Sequence, residues 1–261
     1  MGNDDEAYIE FLGTGTSLGV PMIACKCDVC KSENSKDNRL RTSLLIKYKG
    51  KNIIIDCGPD FRTQLLRANV DDLEAVLITH EHRDHIAGLD DVRSINYILR
   101  KPVSIYLSDP SLDALEKEFP YIFNPGDYKG GPQINLHKLS IDPFEIQGLK
   151  FIPLEVDHRN MRVYGFRIGD FSYITDANFI PESTMKLLEG TKVLVINALR
   201  HKKHPSHFNL EEAIDVAKQI KPEQTYFTHL GHLIGKHDWV NEQLPKGMEL
   251  AYDGLGFKIE I

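Results

Sequence analysis

The sequence lacks any apolar segment long enough to cross a bilayer, and its start lacks the apolar core that a secretory signal peptide needs. Its first eight residues, MGNDDEAY, are acidic. From these two absences we expect a cytoplasmic protein that has no membrane partner.

An excess of basic residues is also absent. The 261 residues include 31 Lys and Arg against 38 Asp and Glu, which gives a formal net charge of -7. A general nucleic-acid binder needs a basic surface, so this balance argues against a broad nucleic-acid interface. It allows a small phosphorylated substrate, and that is the partner we expect.

No low-complexity linker and no repeat of fixed period divides the chain. Its length suits one large domain or two small ones, and 41% hydrophobic and 26% charged residues are ordinary for a globular protein. Because no boundary is visible, we predict a single domain over residues 1–261.

Cysteine is scarce. Three of the four cysteines fall within six positions in CKCDVC, as Cys25, Cys27 and Cys30, and Cys57 stands alone. A disulfide framework would spread cysteines along the chain. The close spacing therefore favours metal ligands over bridges.

Short apolar strands alternate with helices along the chain. SLLIKY and KNIIID are predicted as strands joined by a turn, and MELAYDGLGFKIEI as a closing hairpin. PDFRTQLLRANV is predicted as a helix that Asp60 can cap, and NLEEAIDVAKQIK as an amphipathic helix. Strands outnumber helices, and the early strands are joined by tight turns. This pattern predicts an α/β fold of the α+β type, with mixed sheets covered by helices.

The segment LITHEHRDHIAGLDD, residues 77–91, places three histidines and four carboxylates directly after an apolar strand. Burying such groups unpaired costs several kcal/mol, so a core position needs a compensating partner. Three other predicted strands also end in polar groups. If these strands share one sheet edge, their polar groups converge. The groups concerned are His80, His82, Asp84, His85, His158, Asp176 and His229.

Imidazole nitrogens and carboxylate oxygens are ligands that zinc, manganese and iron accept. A divalent cation also keeps neighbouring imidazoles neutral and so removes their mutual repulsion. The competing interpretation is a solvated histidine-rich turn, which is the ordinary explanation for a lone histidine. Four strand ends together favour a transition-metal site.

The motif THEHRDH, with IIIDCG upstream and the three later strand ends, resembles the metallo-β-lactamase superfamily. The resemblance covers nearly the whole chain and implies an αββα four-layer sandwich with two divalent metal ions, Zn²⁺ or Mn²⁺. It implies His80, His82 and His158 as ligands of the first ion, and Asp84, His85 and His229 as ligands of the second. Asp176 would bridge both ions, and Asp56 would support the ligand loop. A carboxylate at the bridging position is typical of the phosphodiesterase, ribonuclease and thioesterase branches.

Two further segments, GTGTSLGVPMIACKCDVC and THLGHLIGKHDW, resemble the phosphoribosyl cyclic phosphate phosphodiesterases of the carbon–phosphorus lyase pathway. That resemblance implies a structural Zn²⁺ held by Cys25, Cys27, Cys30 and His232. Such a Cys₃His set is typical of closed structural zinc sites. A reduced cysteine cluster on the surface is the alternative.

His207, in HPSHFNL, resembles the histidine that the phosphodiesterase branch places near the leaving oxygen. An imidazole is suited to donating a proton near pH 7. The alternative is that His207 only caps the helix that begins at NLEEA.

The sequence therefore favours a metal-dependent phosphodiesterase that hydrolyses a small, cyclic ribose or nucleotide phosphate diester with a hydroxide shared by two metal ions. His207 and Asp84 are the predicted catalytic residues. A ribonuclease Z-like tRNA 3′-processing nuclease and a glyoxalase-type thioesterase are the enzyme alternatives, and a metal-binding scaffold is the non-enzyme alternative. The sequence leaves open whether the protein forms a homodimer.

Overall fold

The computed structural model describes residues 6–127 and 130–261. The first half of the chain forms the strands β1 (Glu6–Gly13), β2 (Ser43–Tyr48), β3 (Lys51–Ile55), β4 (Ala75–Leu77), β5 (Val103–Leu107) and β6 (Ile134–Lys138). The second half forms β7 (Phe144–Ile146), β8 (Leu149–His158), β9 (Met161–Ile168), β10 (Phe171–Tyr173), β11 (Val193–Asn197), β12 (Gln224–Thr228), β13 (Met248–Leu250) and β14 (Gly256–Glu260).

Eight α-helices are found over the described residues. They are α1 (Phe61–Arg67), α2 (Arg83–Ile86), α3 (Val92–Leu99), α4 (Asp109–Glu118), α5 (Pro120–Phe123), α6 (Glu182–Leu187), α7 (Leu210–Ile220) and α8 (His237–Asn241). Among the described residues, no helix is long and apolar enough to cross a membrane.

The strands form two seven-stranded sheets in the orders β14-β1-β2-β3-β4-β5-β6 and β13-β12-β11-β10-β9-β8-β7. A buried apolar cluster between the sheets includes Ile46 and Phe166, one from each sheet. A second cluster joins the first sheet to α1, α3 and α4, and a third joins the second sheet to α7 and α8. These four layers confirm the predicted αββα sandwich.

The apolar runs of β2 and β3 follow from this layering. Leu44 and Ile46 lie in the cluster between the sheets, whereas Leu45 lies in the cluster beneath the helices. A central strand covered on both faces has to be apolar at every position rather than at alternate ones. Full burial of each aliphatic side chain stabilises the fold by about 1.5–3 kcal/mol.

The strand directions bring the polar segments to one end of the sandwich. β3, β4 and β5 are parallel in the first sheet, and β10, β11 and β12 are parallel in the second. β9 is antiparallel to both β8 and β10, so β8 runs in the same direction as β10. The backbone N–H of Tyr164 in β9 donates to the carbonyl of Thr79, at 3.0 Å, and ties the second sheet to the loop after β4.

Gly58 lets the segment after β3 lie close to the backbone of Asp84. A Cβ atom on Gly58 would lie 1.9 Å from the carbonyl oxygen of Asp84, far inside van der Waals contact. The segment after β3 therefore packs directly against the backbone of α2. Only glycine allows this approach without a shift of the backbone.

Two sequence predictions about local structure are wrong. The expected closing hairpin does not form, because β13 lies at the edge of the second sheet and β14 pairs with β1 in the first. Asp60 does not cap α1, because its carboxylate pairs with the backbone and side chain of Arg41. In both cases contacts between residues that are distant in sequence override a local pattern.

Candidate metal centre

The predicted site residues lie at strand ends on both sheets. The loop after β4 carries His80 and His82, and α2, which follows it, carries Asp84 and His85. His158, Asp176 and His229 lie at or just after the ends of β8, β10 and β12. The four strands do not share one sheet edge, since β4 belongs to the first sheet and the other three strands to the second. The groups converge because the two sheets face each other at the same end of the sandwich.

One group of three imidazoles consists of His80, His82 and His158, whose ligand atoms all lie within 4.8 Å of one another. His80 Nε2 is 3.0 Å from His82 Nδ1. His158 Nδ1 lies 2.6 Å from the carbonyl oxygen of Ser206, which can only accept a hydrogen bond. The proton of His158 is therefore on Nδ1, and its Nε2 lone pair is available to a metal.

Asp56 and Thr79 orient two more imidazoles. Thr79 Oγ1 donates to Asp56 Oδ2, at 2.9 Å, so it accepts from His80 Nδ1, at 3.0 Å. His85 Nδ1 donates to the same carboxylate oxygen, at 2.7 Å. Both histidines thus turn Nε2 towards the site. Such partners on the other ring nitrogen are typical of metal-bound histidine.

A second group joins Asp84, His85 and His229. His85 Nε2 lies 3.3 Å from oxygens of both Asp84 and Asp176, and His229 Nε2 lies 3.2 Å from Asp176 Oδ1. Ligands about 2.0–2.1 Å from a tetrahedral zinc are about 3.3–3.4 Å apart. The spacing of these donors therefore fits a common cation.

Asp176 lies between the two groups. It forms a cluster with His80 and His85 and another with His158 and His207, in each case with ligand atoms within 4.8 Å of one another. Its backbone is left-handed, with φ 56°, and Thr175 Oγ1 donates to Oδ2 at 2.6 Å. A left-handed backbone costs a non-glycine residue about 1–3 kcal/mol and is found where the surroundings impose it.

Neighbouring charges outweigh burial in the electrostatics of the centre. Burial alone would raise the pKa of the Asp176 carboxyl, but the neighbouring His229 and His85 hold that pKa well below its usual range. Burial would lower the pKa of His85, but Asp84, Asp56 and Asp176 raise it well above the usual range. The carboxylates therefore require a positive charge beside them, and a divalent cation supplies it without a proton on His85 Nε2.

His207 lies beside this centre, with its Nδ1 3.6 Å from Asp176 Oδ1 and its ring 4.6 Å from that of His158. Burial, reinforced by His229, lowers the pKa of His207 to about 3. The helix-capping alternative is wrong. Asn209 caps α7, since its Oδ1 accepts the backbone N–H of Glu212 at 2.8 Å and Glu212 caps it in return.

The four residues of the Cys₃His set also come together, with ligand atoms within 4.8 Å of one another. His232 Nδ1 lies 3.4 Å from Cys25 Sγ and 3.3 Å from Cys27 Sγ. A nitrogen and a sulfur that bind the same tetrahedral zinc are about 3.5 Å apart, which is close to these distances. The backbone N–H of Cys30 and the ring of His232 lower the pKa of the Cys27 thiol to about 6. The surroundings therefore favour the thiolate form of Cys27, which is the form that binds metal. Burial instead raises the pKa of the Cys30 thiol to about 11.

Several residues that support the centre leave no signal in the sequence. Thr79 and Ser206 fix imidazole orientations, and Asn197 holds the backbone of Ala177, just after Asp176, by two hydrogen bonds. These are common residue types with no distinctive spacing. His204 is half-buried, with its ring 5.1 Å from that of His207.

Comparison with known proteins agrees with this architecture. The family model of the beta-lactamase superfamily domain matches residues 51–230. A crystal structure described as a new diphosphatase from the PhnP family is 40% identical, with a TM-score of 0.92 over 98% of each chain. The short form of human tRNase Z shares the fold at 18% identity, with a TM-score of 0.71 over 97% of this chain and 100% of that one.

An octanoyltransferase of Porphyromonas gingivalis is 41% identical over 247 residues. The match covers 94% of this chain and 50% of that protein, so this chain spans about half the length of that relative. The superfamily model matches most of the chain, and the likeness to the PhnP-family structure extends over nearly all of it. The chain belongs to the metallo-β-lactamase superfamily, and within it to the PhnP family of metal-dependent hydrolases.

Proposed function

We propose that the protein is a phosphodiesterase that hydrolyses a small, cyclic ribose or nucleotide phosphate diester. The observation that carries the proposal is the position of Asp176 between two sets of donors, one of three imidazoles and one of Asp84, His85 and His229. In-line displacement at phosphorus is the reaction that two adjacent cations serve best. The PhnP-family diphosphatase supports the same chemistry, because a diphosphate is also cleaved at phosphorus.

In this proposal His80, His82 and His158 hold one ion, Asp84, His85 and His229 hold the other, and Asp176 contacts both. Each ion is Zn²⁺ or Mn²⁺. When bound, the pair lowers the pKa of a water molecule to near 7 and offsets negative charge at the reacting phosphorus. The chain's own residues fix the donors: Asp56 orients His85, and the Ser206 carbonyl orients His158.

His207 is the proposed donor to the leaving oxygen. Its lowered pKa keeps the imidazole neutral before substrate binds. A phosphate anion against the ring favours the charged form and raises the pKa again. Protonation of His207 is therefore coupled to the arrival of the substrate.

The first prediction tests the reaction. Protein loaded with Zn²⁺ or Mn²⁺ is assayed against cyclic ribose and nucleotide phosphates, disubstituted diphosphates, precursor tRNA and octanoyl thioesters. We expect turnover of the small phosphorus substrates, with the cyclic diesters preferred. Asp84→Asn keeps the volume of the side chain but weakens a metal ligand, so activity should fall about a hundredfold or more.

Asp113→Asn is the matched control, since Asp113 is exposed on α4, and it should retain parental activity. Cleavage confined to precursor tRNA would favour the ribonuclease Z alternative, and cleavage confined to the thioester would favour a thioesterase. No turnover of any substrate by metal-loaded protein would favour the scaffold.

The second prediction concerns the leaving group. His207→Ala should slow hydrolysis of diesters with alkoxide leaving groups by about a hundredfold, as expected for a lost general acid. With p-nitrophenolate as leaving group the loss should be much smaller, because that group departs without a proton. The two rate ratios are measured at the same metal loading, and equal losses on both substrates would contradict the role.

The third prediction concerns the Cys₃His set, which we propose holds a structural Zn²⁺. Cys30→Ser should lose one zinc per chain and melt at a lower temperature, because a structural zinc contributes folding free energy directly. Activity should fall only in part. Cys57→Ala is the control: Cys57 is buried away from this cluster, so the variant should melt earlier yet keep its zinc. Parental zinc content in Cys30→Ser would contradict the assignment.

A further inference from the structure

His229 differs from the other buried histidines of the centre. Its side chain is 1% exposed, and among the described residues its Nδ1 has no hydrogen-bond partner. His80, His85 and His158 each have an oxygen within hydrogen-bond distance of Nδ1 that fixes the ring. Its ring stacks against those of His207 and His85, with centroid distances of 4.9 and 5.9 Å, and its backbone is left-handed with φ 55°. The backbone therefore sets where the ring enters between these two neighbours.

The backbone beside His229 is pinned to a segment near the other end of the chain. Leu230 N–H donates to the carbonyl of Thr14, at 2.8 Å, and the Leu230 carbonyl accepts from Thr16 N–H, at 3.1 Å. Gly15 and Leu230 form an isolated parallel bridge. The glycine- and threonine-rich turn after β1 thus serves as the support of the His229 loop.

Thr14 is in turn held by Asp253, from the segment that joins β13 to β14. Asp253 Oδ1 accepts from both the backbone N–H of Thr14, at 2.9 Å, and its hydroxyl, at 2.8 Å. Arg39, which is buried, donates to the same hydroxyl, at 2.9 Å. Asp253 Oδ2 accepts the backbone N–H of Leu40, at 2.8 Å, so the carboxylate joins three segments of the chain.

We propose that Asp253, acting through Thr14, is a positioning residue that places His229 and thereby sets the affinity of the second metal position. The inference rests on the proposed function, in which His229 is a ligand of that position. Asp253 belongs to neither donor set, and in this proposal it orients His229 as Asp56 orients His85. The difference is that the restraint on His229 passes through the main chain.

Zinc binding to metal-free protein is measured by competition with a chromophoric chelator. The zinc-binding step that is weakened in His229→Ala is assigned to the second metal position. Thr14→Val removes the hydroxyl but keeps the backbone N–H, and we expect it to weaken the same step about tenfold, as outer partners of metal ligands do. Asp253→Asn should weaken that step at least as much. Thr14→Ser keeps the hydroxyl and should bind like the parent.

Thr191→Val is the matched control, since it removes a buried hydroxyl that pairs with Ser172 Oγ, at 2.8 Å. Thr191 precedes β11, at the end of the parallel strands opposite to the donors. It should lower the melting temperature without changing the zinc affinities. If Thr14→Val and Asp253→Asn bind zinc like the parent, the inference is overturned while the proposed function stands. If His229→Ala weakens no binding step of the parent, the metal assignment itself fails.

Discussion

The buried carboxylate of Asp176 is the constraint around which this end of the sandwich is arranged. The residue is 1% exposed, and its two oxygens lie 3.3 Å from His85 Nε2 and 3.2 Å from His229 Nε2. A carboxylate taken out of water needs a nearby positive charge. Hydrogen bonds at Nδ1 already account for the proton of His85, so a cation at Nε2 satisfies the carboxylate without charging the ring.

The fold meets this constraint with loops from two sheets rather than one. The loop after β4, together with α2, delivers three imidazoles and Asp84 from the first sheet, and the ends of β8, β10 and β12 deliver the other donors from the second. Loops of this kind are precise only when their backbones are held. Tyr164 holds the loop after β4, and Thr14 and Thr16 hold the loop after β12, in each case by main-chain hydrogen bonds.

The sequence pointed to the strands and to the candidate donors because both leave local signals, whereas the four-layer order came from the resemblance to a known superfamily. Apolar runs mark the strands, and His80, His82 and Asp176 each follow such a run closely. The residues that hold the donors in position leave no local signal. Ser206 contributes only its backbone carbonyl, and Thr14 is hydrogen-bonded to Asp253, which is 239 positions away in the chain. The predicted hairpin failed for the same reason, because the pairing of β14 with β1 is a contact between the two ends of the described chain.

The central claim is that two cations share Asp176. Its most direct test is anomalous X-ray diffraction at the zinc absorption edge, from crystals of zinc-loaded protein. The account predicts two peaks about 3.5–4 Å apart on either side of the Asp176 carboxylate, as in other two-metal sites. No peak within contact of Asp176, or one peak bound by His80, His82 and His158 alone at full zinc loading, would contradict it.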